Sequence, residues 1–379
     1  MFTYQQDGRY FAQTARGLDE LARVELAELG ARDIESVSGG LHFNSDAAGL
    51  YRINYCSRLV SRVLAPLAQF PCPLEQTLYD SAQAMDWEKV LSLEKTFAVS
   101  ANVSDSRISH AHYAALRLKD AIADHFRQRS GRRPDVDTEH PDVLFHLTIR
   151  RDRALISLDT SGGSLHRRGY RKQSVAAPMQ ETLAAALVRL SGWNGERPLV
   201  DPMCGSGTIV AEAFLHYCRR PSAFKKEKFG FENLPDFAPE TWARVRGECD
   251  TAVREIPVGL IRGSDVDRQS IDAARRNLGE IPGTRDVPLQ RKDFRELPDI
   301  KDATIICNPP YAVRVGELEP TRLLYKEFGD FLKRRCPGST AYVLCGNLEL
   351  VRAIGLKPAR RFVLFNGAIE CRLLKIELY

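Results

Sequence analysis

From about residue 175 to the end of the chain, short apolar runs alternate with helical stretches, the pattern of a doubly wound parallel sheet. After a helix at 179–191 the runs fall at 198–200, 258–267, 287–294, 303–307, 341–345, 361–365 and 371–378. Only Asn366 to Glu370 separates the last two. That gap is too short for a crossover helix, so the final pair is expected to run antiparallel. An α/β sheet of seven strands with a reversed last strand is therefore expected, and it differs from an ordinary dinucleotide fold.

Chemistry-bearing residues fall at the carboxyl ends of these runs, where open α/β sheets place their sites. After 198–200 comes Asp201-Pro202-Met203-Cys204-Gly205-Ser206-Gly207-Thr208, a glycine turn opening a helix. The third glycine of the dinucleotide fingerprint is absent, and so is the Gly-Lys-Ser/Thr of a P-loop. The glycines let a ligand approach the backbone closely. The next run ends in Asp265 and Asp267, where a Rossmann-like site receives ribose hydroxyls. The third ends in Asp293 with Phe294 beside it, suited to an adenine amine and its ring.

The fourth run delivers Asn308-Pro309-Pro310-Tyr311. The Asn308 side-chain oxygen and the Pro309 carbonyl both accept hydrogen bonds from an exocyclic amine. The prolines cannot donate and stiffen the turn. Tyr311 offers a face on which a base stacks. An amine held this way has its protons engaged and its lone pair free to meet an electrophile.

Each acid has a plainer reading. Asp201 can cap the turn, Asp265 or Asp267 the following helix, and Asp293 can be a loop acid. The joint pattern of a glycine turn, acid-tipped strands and Asn-Pro-Pro-Tyr on successive tips favours function.

Residues 1 to about 160 read as α+β, with no catalytic motif. Strands are expected at 11–15, 41–43 and 96–100, and helices at 17–29, 46–55, 75–91 and 112–127. A closing hairpin is expected from 143–149 and 154–158. A glycine-marked link follows, with His166, Arg167, Arg168, Tyr170, Arg171 and Lys172 as a basic cluster. The cluster suits a phosphate backbone, with Tyr170 available to stack; the alternative is a solvated run of linker charge. The segment 221–256, with Phe224, Phe229, Phe231 and Trp242, reads equally as a substrate-facing insertion or as packing.

The formal charge of +5 permits a nucleic-acid partner without requiring one. No run of about 18 apolar residues suggests a membrane span, and the start lacks a signal-peptide pattern. Nine scattered cysteines without a Cys-x-x-Cys pair indicate reduced, buried thiols and a cytoplasmic location. His110 and His112 form the only close histidine pair, with no cluster to complete a metal site.

These motifs together resemble the THUMP-domain methyltransferases, in particular the bacterial 23S ribosomal RNA guanine-N2 methyltransferases. The likeness runs along the chain: Ala15–Leu21, Ser38–Leu41, Tyr51–Asn54, Thr96–Val99, Ala115–Ile122, Leu165–Arg171, Ala177–Ala184, Asp201–Thr208 and Asn308–Tyr311. It implies a ferredoxin-like region over 1–65, a THUMP RNA-binding domain over 66–160, a basic linker over 161–174 and a Rossmann-like methyltransferase domain over 175–379. Because the chain ends just after its last strand, it resembles the form not fused to a second methyltransferase domain.

The resemblance implies S-adenosylmethionine as cofactor. Asp201, Met203, Cys204, Gly205, Ser206, Gly207 and Thr208 would surround its methionine and ribose portions. Asp265, and less directly Asp267, would hold the ribose hydroxyls; Asp293 and Phe294 would hold the adenine. Asn308 to Tyr311 would hold the target base, and ribosomal RNA would be the partner, with no metal. Three other readings stay open: an adenine-N6 methyltransferase acting on DNA or RNA, a protein glutamine methyltransferase, and a non-catalytic RNA-binding assembly factor.

Overall fold

The computed structural model describes residues 1–173, 179–312, 316 and 318–379. Ala177 and Pro178, part of the family-like stretch before the 179–191 helix, lie outside the described residues. The first part of the chain runs α1 (Tyr4–Asp7), β1 (Arg9–Thr14), α2 (Asp19–Glu28), β2 (Arg32–Val37), β3 (Gly40–Asn44), α3 (Ala47–Cys56), β4 (Val60–Pro71), α4 (Glu75–Gln83), β5 (Phe97–Ser104), α5 (Ala111–Ser130), β6 (Val143–Arg150) and β7 (Arg153–Asp159). It continues with α6 (Glu181–Ser191), β8 (Leu199–Asp201), α7 (Thr208–Tyr217), α8 (Pro239–Thr251), β9 (Ile261–Asp265), α9 (Arg268–Gly279), β10 (Leu289–Arg291), β11 (Thr304–Cys307), α10 (Leu318–Arg335), β12 (Thr340–Cys345), β13 (Arg360–Asn366) and β14 (Ile369–Glu377). Contacts divide these elements into two units. The first holds Met1–Thr14, Arg23–Leu165 and Lys226–Gly247; the second holds Ala15–Ala22, His166–Lys225 and Glu248–Tyr379.

One seven-stranded sheet of order β2-β3-β1-β4-β7-β6-β5 organises the first unit. Two of its strands have no clear sequence signal. β2 is exposed along nearly its whole length and lies at the sheet edge, so no buried face imposes an alternating pattern. β4 contains Pro66 and Pro71, which argue against a central strand. The chain accommodates Pro66 by a register shift between Pro66 and Ala68 in the pairing with β7. β4 pairs with β1 on one side and β7 on the other. The expected boundary between residues 65 and 66 therefore falls inside a continuous strand.

The segment 221–256 resolves largely as packing. Residues 226–247 belong to the first unit, where Phe229 and Phe231 stack with centroids 5.0 Å apart. Trp242 meets both rings edge-on, and Tyr51 and Tyr55 of α3 close the cluster. Burying five aromatic side chains together explains their presence without a ligand.

In the second unit the sheet order is β10-β9-β8-β11-β12-β14-β13. β14 pairs antiparallel with both β12 and β13, as the short connection requires. The four neighbouring pairs from β10 to β12 are parallel. The chain winds outward from β8 through β9 to β10, then returns to place β11 on the other side of β8. This creates a switch point between β8 and β11, with a crevice at their carboxyl ends. Beneath it, Phe328, Phe331 and Leu332 of α10 pack on Ile305, Val343 and Phe294. α9 buries Ser270, Ile271, Ala273, Ala274, Asn277 and Leu278. This is one helical face, and it includes a polar amide among apolar residues.

Candidate active site at the strand tips

The crevice opens into a cavity of about 560 Å³. Thirteen of the residues expected at the site line it: Asp201, Met203, Cys204, Gly205, Ser206, Thr208, Asp265, Asp293, Phe294, Asn308, Pro309, Pro310 and Tyr311. Gly207 and Asp267 do not.

The glycine turn is fixed by backbone geometry. Gly205 and Gly207 have φ of 52° and 80°, in the left-handed region that glycine enters without steric cost. A Cβ on Gly207 would stand 3.0 Å from Ala274 and Leu278 of α9, so its absence allows close packing. The turn is also tied to β9: Gly205 N–H donates to Asp265 Oδ2 at 2.8 Å, and Cys204 N–H donates to the Ser264 carbonyl at 2.9 Å. Asp265 Oδ1 accepts from Asp267 N–H at 2.9 Å. Burial raises the Asp265 carboxyl above its ordinary range.

Asp201 is 1% exposed at the tip of β8. Its Oδ1 accepts from Met203 N–H at 3.2 Å, and among the described residues no cationic side chain pairs with it. Burial, with the Asp265 carboxylate adding to it, pushes the Asp201 carboxyl well above the usual range. The neighbouring Cys204 and Cys307 thiols are likewise pushed up by burial, which leaves them protonated and poor nucleophiles.

Asp267 takes its plainer role. It caps α9, accepting from the backbone N–H groups of Gln269 and Ser270 and from the Ser270 hydroxyl. Asp293 lines the cavity but also caps the single turn Phe294–Glu296 and pairs with Arg295 at 2.7 Å. Phe294 reaches the cavity from the core, edge-on to Phe328 at 5.2 Å.

Asn308 and Tyr311 hold each other. The Tyr311 hydroxyl donates to Asn308 Oδ1. Its ring lies against Gly346, where an added Cβ would fall 2.4 Å from the ring. Burial raises the pKa of this hydroxyl. The Asn308 side-chain oxygen is thus already engaged by the Tyr311 hydroxyl. Asn366 and Ile369, missed in the sequence, also line the cavity. They flank the β13–β14 turn, whose shortness signalled topology but not proximity to the site.

The basic linker departs from expectation. Arg168 and Tyr170 are 2% and 1% exposed. Arg168 Nε pairs with buried Glu212 of α7 at 3.5 Å, and the Tyr170 hydroxyl donates to Glu212 Oε1 at 3.1 Å. Arg171 pairs with Glu181 at 3.3 Å and donates to the Met179 carbonyl at 2.6 Å and Thr208 Oγ1 at 3.2 Å. Expected RNA contacts at Arg168 and Tyr170 are corrected: both side chains are buried in the second unit, where they meet the buried carboxylate of Glu212. Arg167 and Lys172 remain exposed and His166 is half-buried. No group of metal-ligating side chains occurs among the described residues, and no helix there is long and apolar enough to cross a membrane.

Three family descriptions match the chain. RMKL-like methyltransferase domain covers 168–375, THUMP domain covers 75–159 and RlmL ferredoxin-like domain covers 9–64. The chain is 40% identical over 371 residues to slr0064 of Synechocystis sp., provisionally named an RNA methyltransferase, covering 98% of this chain and 97% of that protein. It is 38% identical over 383 residues to ribosomal RNA large subunit methyltransferase K/L of Syntrophotalea carbinolica, covering 98% of this chain but 53% of that protein. It therefore spans about half the length of that curated relative. Among solved structures, SMU.472, provisionally described as a methyltransferase and complexed with SAH, superposes with a TM-score of 0.87 at 27% identity, covering 98% of each chain. A structure from Listeria monocytogenes, described as a predicted N6-adenine-specific DNA methylase, superposes with a TM-score of 0.85 at 27% identity, covering 99% of this chain and 97% of that one.

Proposed function

The chain belongs to the RMKL-like methyltransferases, and on that premise we propose that it carries the methyl group of S-adenosylmethionine to an exocyclic base amine in RNA, foremost guanine N2 in 23S ribosomal RNA. The observation that carries this is the meeting of Asn308, Pro309, the Gly205–Gly207 turn and Asp201 around one cavity. The donor set fits the cofactor. A buried carboxylate with no cationic partner among the described residues suits a ligand bearing positive charge. A cavity of about 560 Å³ lies in the range that encloses a small molecule.

Bound S-adenosylmethionine would supply an electrophilic methyl group on a sulfonium. Asp201, Met203, Cys204, Ser206, Thr208 and the Gly205 backbone would hold its methionine and ribose portions, Asp265 the ribose hydroxyls, and Asp293 with Phe294 the adenine. The protein's task is positioning. A flipped base costs a few kcal/mol to unstack, and stacking on Tyr311 returns about 1–3 kcal/mol. Asn308 Oδ1 and the Pro309 carbonyl would accept hydrogen bonds from the amine and so orient its lone pair. No strong base is required, since the methylated amine loses its extra proton readily.

The THUMP-containing first unit would engage folded RNA by shape. Exposed Arg167 and Lys172 are the remaining linker candidates for phosphate contact. Nine cysteines without a disulfide fit action in the cytoplasm. A second reading, adenine N6 in DNA or RNA, draws on the description of the Listeria structure and on the equal fit of Asn308 to that amine.

Radiolabelled cofactor incubated with stripped ribosomal RNA, genomic DNA or protein separates these classes. Label in large-subunit RNA as N2-methylguanosine is the expected result. Label as N6-methyladenosine or N6-methyldeoxyadenosine would select the second reading, and label in protein alone would overturn both.

A further inference from the structure

Asn277 is a polar side chain on the otherwise largely apolar buried face of α9, and it is 1% exposed. An amide there is costly unless its hydrogen-bonding groups are met. Asn277 meets them. Its Nδ2 donates to the Ser206 carbonyl at 3.1 Å and to the Gln173 carbonyl at 2.9 Å. Its Oδ1 accepts from Lys172 N–H at 2.9 Å and from Gln173 N–H at 3.0 Å. One amide thus joins three pieces of backbone: the glycine turn, α9 and the segment that leads into the methyltransferase fold.

The same segment is held from its other side. Arg171 reaches Thr208 Oγ1, the first residue of α7, and the carbonyl of Met179, which lines the cavity. Arg276 donates to Gln173 Oε1 at 2.6 Å. Residues 171–173 are therefore bonded to both helices that flank the glycine turn. Asn277 bonds the segment and the turn with the same side chain.

We propose that Asn277 is a positioning residue that couples the 171–173 segment to the cofactor turn, so that cofactor binding and ordering of this segment stabilise each other. The inference rests on the reading that the cavity takes S-adenosylmethionine. Asn277 has no contact with the cavity and acts through the Ser206 carbonyl, which fixes the turn whose residues line it. Linkage is reciprocal: what orders the turn protects the segment, and what displaces the segment loosens the turn. The segment adjoins the exposed Arg167 and Lys172, so an RNA phosphate gripping them would act on the cofactor turn through Asn277.

The test uses the full chain and S-adenosylhomocysteine as probe. In the wild type, saturating S-adenosylhomocysteine should slow amide exchange at Lys172 and Gln173. Asn277→Asp keeps both acceptor sites, loses both donors and sets an anion against two carbonyls. It should raise the dissociation constant by about tenfold or more, raise KM for S-adenosylmethionine with kcat little changed, and abolish the ligand-dependent protection. Asn277→Leu, which removes all four bonds, should do the same. A folded Asn277→Asp with unchanged affinity would overturn the proposal, because a merely structural amide would lower thermal stability and leave binding alone. Should neither variant fold, the wild-type exchange decides: equal rates with and without ligand overturn the coupling. Failure of the wild type to bind S-adenosylhomocysteine would overturn the cofactor reading and this proposal with it.

Discussion

The tips of β8, β9 and β11 and the basic segment at 166–172 are built from similar materials: charged groups and a tyrosine, near glycines. At the strand tips, Asp201 lies buried with no cationic partner among the described residues, while Asn308 accepts from the Tyr311 hydroxyl and lines the cavity. In the basic segment, Arg168, Tyr170 and Arg171 are consumed by Glu212, Glu181, Thr208 and a main-chain carbonyl. The first arrangement leaves binding capacity facing a cavity; the second spends it on internal bonds. Residue type did not decide between them. What decided was whether the fold brought a complementary group to each side chain.

The largest expected effect sharpens the active side of this contrast. Asn308→Ala should lower methyl transfer by on the order of 10²-fold or more while S-adenosylhomocysteine affinity stays near wild type, as isothermal titration would show. Lost cofactor affinity would mean that Asn308 belongs with the cofactor turn.

The next prediction probes the spent side. Arg168→Ala removes the guanidinium that pairs with buried Glu212 and should cost about 3–5 kcal/mol of stability. Arg167→Ala, one residue away and exposed, should cost less than about 0.5 kcal/mol. Urea denaturation measures both, and equal losses would erase the distinction between the two arginines.

A third prediction uses the raised Asp201 carboxyl. Its pKa lies above the ordinary range, and a cationic ligand favours the ionised form. Affinity for S-adenosylmethionine should therefore be full above the raised pKa and fall as pH drops through it. Asp201→Asn should bind weakly and lose that pH dependence. A wild-type affinity that is flat down to the ordinary carboxylate range would show that Asp201 does not meet the ligand's charge.

The smallest effect separates the acids of the β9–α9 corner. Asp267→Ala should cost about 1 kcal/mol through the lost helix cap and leave cofactor affinity nearly unchanged. Asp265→Ala removes the acceptor for Gly205 N–H as well as the proposed ribose contact, so it should weaken cofactor binding.

The strand-tip cluster was legible because each of its residues stands beside its own strand, so periodicity alone placed it. The short last connection fixed the reversed strand for the same reason. The linker was not legible: the partners of Tyr170 and Lys172 lie 42 and 105 residues away, one partner of Arg171 lies 37 away, and no local pattern announces them. Asn277 carried one faint signal, a polar residue in the apolar row of an amphipathic helix. β4 hid behind prolines that its register shift absorbs. Asp267 shows the limit from the other direction, since a strand-tip acid and a helix cap look alike until their hydrogen bonds are seen.

The most direct test of the central claim is mass mapping of methylated nucleosides in large-subunit ribosomal RNA from cells with and without this protein. The account predicts that one N2-methylguanosine disappears without the protein and returns with the wild type but not with Asn308→Ala. An unchanged set of ribosomal RNA methylations would contradict it.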